Sequence, residues 1–140
     1  MASTLLAQSD GPARPWTLDD YEWKNRVLIV FAPDTLHAAY GDLQVQLEQD
    51  HGGFAERDLV LIQVLDGDLA YAGKEPLQPA DARRLRDRFN VAMDSFVTIL
   101  LGKDGTEKAR QRGQADLAAL YALIDTMPMR QREMQRQRDR

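Results

Sequence analysis

The chain has 140 residues, of which 44% are hydrophobic and 29% charged, and a formal net charge of −4. That composition is one of a single soluble globular domain, large enough to bury a core without covalent staples. It contains no cysteine, which excludes a disulfide framework, a thiolate metal site, an iron–sulfur cluster and a thiol nucleophile, and with them thiol oxidoreductase or thiol peroxidase chemistry in this chain.

Residues 1–15 read as a disordered leader or the remnant of an export signal. Ala2 to Ala7 is a short apolar piece without the basic region of a complete signal, and Gln8 to Pro15 is a Pro/Gly-containing linker. Thr17 or Asp19 caps a short helix, whose aromatic neighbours Trp16, Tyr21 and Trp23 are expected to close over the core. Arg26 to Ala32, apolar at every position after Arg26, is a run stopped by Pro33, the pattern of a strand buried on both faces. A helix capped by Asp34 or Thr35 follows, with Leu36, Ala39, Tyr40, Leu43 and Leu47 on one face and Gly52-Gly53 at its end. Leu59 to Leu65 is a second buried strand, stopped by Asp66-Gly67-Asp68. Strand, helix and strand over this length predict a parallel βαβ unit.

In the second half, Pro79 begins a helix with Ala82, Leu85 and Phe89 on its apolar face. Phe96 to Leu101 is a third strand, Asp104-Gly105 a hairpin turn, and Glu107 to Arg110 a short charged edge strand. A last helix buries Leu117, Leu120, Tyr121, Ile124 and Met127, and Pro128 interrupts it. The order β-α-β-α-β-β-α predicts an α/β domain over residues 16–134. It is the order of a minimal thioredoxin-like fold: a mixed four-stranded sheet with flanking helices. Residues 135–140 have nothing to bury and read as a flexible basic tail. From Met129 onward five arginines stand against Glu133 and Asp139; this is either a solvated helix end or, with Arg130, Arg132 and Arg136, a candidate docking segment for an acidic partner or an anionic surface.

The chemistry-bearing residues are sparse. Asp34, Thr35 and His37 cluster at the first strand-to-helix turn, where backbone N–H groups and a helix N-terminus favour an anion. They are the candidate binding turn, although neighbours this close in sequence rarely reach triad geometry. His37 and His51 are the only histidines, fourteen positions apart, and Asp66-Gly67-Asp68 is too short for a calcium loop. No metal site and no cofactor motif is therefore read. The acidic balance argues against a nucleic-acid partner, and no apolar run approaches the roughly 18 residues of a membrane helix. Alternation places Lys24 and Arg26 on one side of the first strand, either solvated or as a buried pair with a carboxylate such as Asp58 or Asp125.

Three stretches share a resemblance. They are Leu18 to Pro33, with Trp23-Lys24-Asn25-Arg26 at the strand start; Arg57 to Ile62; and Ile124 to Met134, with Met127-Pro128-Met129-Arg130. Together they resemble an uncharacterised bacterial domain family, thioredoxin- or peroxiredoxin-like, related to domains of equarin and the sushi-repeat-containing extracellular proteins of vertebrates. The resemblance implies a thioredoxin-like fold without paired redox cysteines, and a periplasmic or secreted location, with a cytoplasmic one as the alternative. It supplies no catalytic residues. Val97 lines up with the slot where thioredoxins keep a cis-proline, so a trans bond is expected there. The leading functional expectation is a non-catalytic interaction module with an unknown protein partner. The alternative is a cysteine-independent enzyme using Asp34, Thr35 and His37.

Overall fold

The structure is a computed structural model and describes residues 15–140. The expected leader lies outside the described residues, except for Pro15. Among the described residues six strands form one mixed sheet: β1 (Arg26–Phe31), β2 (Leu59–Val64), β3 (Ala70–Ala72), β4 (Glu75–Pro76), β5 (Val97–Leu101) and β6 (Glu107–Arg112). Their spatial order is β4-β3-β2-β1-β5-β6. Five helices accompany them: α1 (Ala38–Glu48), α2 (Gly53–Glu56), α3 (Pro79–Phe89), α4 (Leu117–Asp125) and α5 (Pro128–Arg138).

The expected parallel pair is β1 with β2, in the register Arg26 opposite Leu59 to Phe31 opposite Val64. On its other side β1 pairs antiparallel with β5, which turns through Gly105 (φ 83°) into β6. The peptide bond ahead of Val97 is trans. The four expected strands are joined by two that sequence reading passed over: β3 returns antiparallel along β2, and β4 along β3. The sheet thus has six strands rather than four.

Strand alternation divides the core into two layers. Val27, Ile29, Phe31, Ile62, Ile99 and Leu101 pack under Ala82, Leu85 and Phe89 of α3 and under Leu18. On the opposite face Leu28 and Leu100 meet Leu117, Leu120 and Ile124 of α4, and Val30 meets Leu43 of α1. Helices on both faces explain why β1 and β5 are buried at every position. Each such Leu, Ile or Val contributes roughly 1.5–3 kcal/mol by leaving water.

Several local features differ from expectation. The first helix begins at Ala38, capped by His37 rather than by Asp34 or Thr35, and Leu36 stands outside it, 92% exposed. Gly52 (φ 92°) opens the extra helix α2 instead of only closing α1. Thr17 caps a 3₁₀ turn at Leu18–Tyr21. Trp16 and Tyr21 pack on the core with ring centroids 6.3 Å apart, but Trp23 is 66% exposed. Pro128 does interrupt the last helix: α4 stops at Asp125, and Pro128 starts α5 from its first turn. Residues 135–138, expected to fray, continue α5. The helix is rich in the good helix formers Gln, Arg, Met and Glu, and its first two turns are anchored by ion pairs.

Candidate functional site

The strand-to-helix turn does not assemble as a reactive constellation. Asp34 Oδ1 accepts from the Leu36 amide at 2.8 Å, a local turn contact. His37 Nδ1 accepts from the Ala39 amide at 3.1 Å, and its ring stacks on Phe96 at 5.4 Å. The Nδ1 atom is thereby engaged in capping the helix. Asp34, Thr35 and His37 are all exposed, and among the described residues they make no hydrogen bond to one another.

The opposite end of the sheet is far more organised. Arg26 opens β1 with its side chain buried, and donates to the Arg57 carbonyl at 2.9 Å and to both oxygens of Glu133 at 3.1 and 3.3 Å. Lys103, just past β5, bridges Glu133 at 2.7 Å and Asp58 at 2.8 Å. Arg57 grips Asp125 at 3.1 and 2.8 Å, and lies 4.2 Å over the Tyr121 ring. Arg130 is completely buried; it donates to Asp125 at 3.0 Å and to Glu56 at 2.6 Å. Cations and carboxylates from the loop before β2, the end of α4 and the first two turns of α5 are thus interleaved in one network.

Burial works against the charged form of Glu133 and is the largest single influence. The hydrogen bonds and charges of Lys103 and Arg26 together outweigh it and hold the carboxyl below its usual range. Asp125 is likewise penalised first by burial, then carried below its ordinary value by Arg57 and Arg130. The Arg130 guanidinium, disfavoured by burial, is strengthened by Asp125 and Glu56. The expected buried pairing of Arg26 is therefore real, but its carboxylate is Glu133, whereas Asp125 serves Arg57 and Arg130.

Above this network lies a groove of about 270 Å³. Its apolar surface comes from Trp23, Met127, Pro128 and Met129. Trp23 sits in the left-handed region (φ 66°), held by its amide donating to the Lys103 carbonyl at 2.6 Å. That conformation turns the indole outward instead of continuing β1 inward. The charged lining is Arg26, Lys103, Lys108 and Arg132 against the single carboxylate of Asp104. Asp104 is held at about 2 by the Thr106 amide first and then by Lys108. Arg132 makes no ion pair among the described residues and is exposed.

The groove joins two stretches that are distant in sequence: Trp23-Lys24-Asn25-Arg26 and Met127-Pro128-Met129-Arg130. Of the arginines expected to dock a partner, Arg132 lines the groove, and Arg136 lies in a shallow recess with Glu56 and Asp58. Arg130 is internal and cannot meet a partner directly. Sequence reading placed Trp23 in the core and so missed the groove; its signal was the joint occurrence of the two stretches. Among the described residues no group of three histidine or acidic side chains could hold a metal ion.

Residues 17–133 match the family described as "Domain of unknown function (DUF4174)". The chain belongs to this family. The DUF4174 match spans both groove-forming stretches and ends on Glu133, the carboxylate that seats Arg26. The chain is also similar to the Sushi repeat-containing protein SRPX of Homo sapiens, 31% identical over 120 residues, covering 84% of this chain and 26% of that protein. The rat protein of the same name is 30% identical over the same span. Coiled-coil domain-containing protein 80 of Danio rerio is 24% identical over 133 residues, covering 84% of this chain and 15% of that protein. The chain thus spans about a quarter or less of the length of these relatives. No solved structure matches it. Among the described residues no helix is long and apolar enough to cross a membrane.

Proposed function

We propose that this DUF4174 domain is a non-catalytic interaction module on a thioredoxin-like scaffold, working in a periplasmic or secreted setting. Its groove takes an acidic polypeptide segment that presents an apolar side chain. The observation that carries the reading is the groove's composition: an indole, two methionines and a proline beside Arg132, which is exposed and has no ion pair among the described residues, whereas the other lining cations, Arg26, Lys103 and Lys108, already hold Glu133, Asp58 and Asp104. Methionine and tryptophan give adaptable, high-area contacts, and the unpaired Arg132 favours an anionic partner. The strand order β2-β1-β5-β6, with β5 reversed, suits the scaffold. The region's small share of the longer relatives suits a module joined to others. The rival, a cysteine-independent enzyme built on Asp34, Thr35 and His37, has less support because those side chains do not converge and His37 Nδ1 is already engaged.

The test is a nuclear magnetic resonance titration of the labelled chain with two synthetic peptides of equal length. One alternates Asp or Glu with Leu and Phe; the other replaces the acids by Lys. The acidic peptide should shift the Trp23 indole and the Met127 and Met129 methyl signals, with affinity falling as salt rises. Absence of shifts at millimolar peptide, or equal shifts from the basic peptide, would refute the reading.

A further inference from the structure

We propose that Lys103 is the groove's positioning residue: its ammonium, seated on Glu133 of α5, fixes the backbone carbonyl that holds Trp23, and so sets the indole opposite Met127, Pro128 and Met129. This rests on the reading of the groove as a dock, and it names the residue that keeps the two walls at a fixed spacing. One wall is Trp23, just ahead of β1; the other is the junction of α4 and α5, far along the chain.

A tryptophan in the left-handed region carries backbone strain, and this one is exposed, so burial of its ring does not offset it. Such a conformation persists only where its surroundings impose it. The Lys24 and Asn25 amides both donate to the Tyr21 carbonyl at 2.9 Å, which shapes the turn around Trp23. The amide of Trp23 itself goes elsewhere, 2.6 Å from the Lys103 carbonyl in the loop after β5. The place of the indole therefore depends on the place of that loop.

The loop is tied down by the other end of the same residue. Lys103 Nζ lies 2.7 Å from Glu133 and 2.8 Å from Asp58. The Glu133 contact is the stronger tether, because its two side chains are only 11% and 10% exposed, whereas Asp58 is 51% exposed and its pair is weakened by water and salt. Glu133 also receives Arg26 at the start of β1, and it stands one turn along α5 from Met129. Lys103 thus grips Trp23 by its carbonyl and the helix bearing Met129 by its ammonium. Its charge is engaged internally, so its part is to hold the groove's shape, and Arg132 is left to face a ligand. A lysine that merely stabilises the body is the competing account.

Amide hydrogen exchange and titration with the acidic peptide, on Lys103→Met and Lys103→Arg, separate the two. Met keeps an apolar stem and removes the charge; Arg keeps a cation within reach of Glu133. Circular dichroism verifies folding, and Lys103→Gln, which retains a donor toward Glu133, takes the place of Lys103→Met if that chain does not fold. Without the ammonium the Trp23 amide should exchange about tenfold faster through local opening of the loop, a larger acceleration than at Ile29 in the middle of β1. The acidic peptide should bind about tenfold more weakly, as it would if only about a tenth of the molecules held the indole in place. Lys103→Arg should restore both. Trp23 exchange that accelerates no more than Ile29 exchange, an unchanged peptide affinity, or a Lys103→Arg chain as impaired as Lys103→Met would each overturn the proposal. In those cases normal peptide binding by the unaltered chain leaves the groove reading standing. If the unaltered chain binds no peptide, that reading fails, and Trp23 exchange, which needs no peptide, decides whether Lys103 positions the indole.

Discussion

Arg26 places a guanidinium, 1% exposed, at the first position of a central strand, where it must be fully paired or destabilise the sheet. Glu133 and the Arg57 carbonyl supply that pairing, and Lys103 shares the carboxylate. Glu133→Ala leaves the cation buried with only the carbonyl, so it should cost about 3 kcal/mol in urea unfolding. The double variant Arg26→Met, Glu133→Leu removes both charges and should recover most of that loss. If it is as unstable as Glu133→Ala, the pair is not where the cost originates. Alternation at Lys24 and Arg26 left both a solvated strand end and a buried pair open in the sequence; Arg26 is buried and paired, whereas Lys24 is exposed. The partner was not legible, because linear spacing cannot say where a helix more than a hundred residues away will land.

At the scale of the element, α5 is unusual in how it is held. It has no apolar stripe: Met129 and Met134 are half-buried and the rest of the helix after Pro128 is polar, yet its Arg130 and Glu133 reach into the body. The folded-state values of Glu133 and Asp125 lie below the ordinary carboxylate range. Their contribution is therefore fully present above the unfolded carboxylate value of about 4, and is lost as pH falls through the lowered folded values. Hydrogen exchange of α5 amides should accelerate between neutral pH and about pH 3 more than that of β1, after correction for intrinsic rates. Equal change in both would show that α5 is not held by these carboxylates. Removing residues 135–140 leaves both anchors in place, so thermal unfolding should shift by no more than the roughly 0.5 kcal/mol typical of surface changes. A large fall in melting temperature would assign the last turn a structural role. The break at Pro128 was readable because proline cannot sit in a helix interior, whereas the anchoring was not, since buried arginines look identical in sequence to solvated ones.

On the scale of the whole molecule, the sheet's centre was the most legible part. Val27 to Phe31 is a continuous apolar run, and Val97 to Leu101 is one broken only by Thr98, because helices cover both faces. β3 and β4 were illegible: three and two residues, broken by Gly73 and Pro76, give no period to detect. The turn at Asp34 drew notice as the one cluster of reactive residue types, but its side chains cap the local backbone. The groove went unseen because an indole beside a buried strand reads as core until the left-handed backbone at Trp23 is known.

The central claim is that the groove, not the turn, is the working surface. It is tested most directly by calorimetric titration of the acidic peptide into two variants side by side. Trp23→Asn with Arg132→Glu alters the groove, and Asp34→Ala with Thr35→Ala and His37→Ala alters the turn. The groove variant should lose about tenfold or more in affinity, because Trp and Arg dominate interfaces of this kind. The turn variant should bind like the unaltered chain, while losing about 1 kcal/mol of stability with its helix cap. Loss of binding in the turn variant, with the groove variant unaffected, would contradict the account.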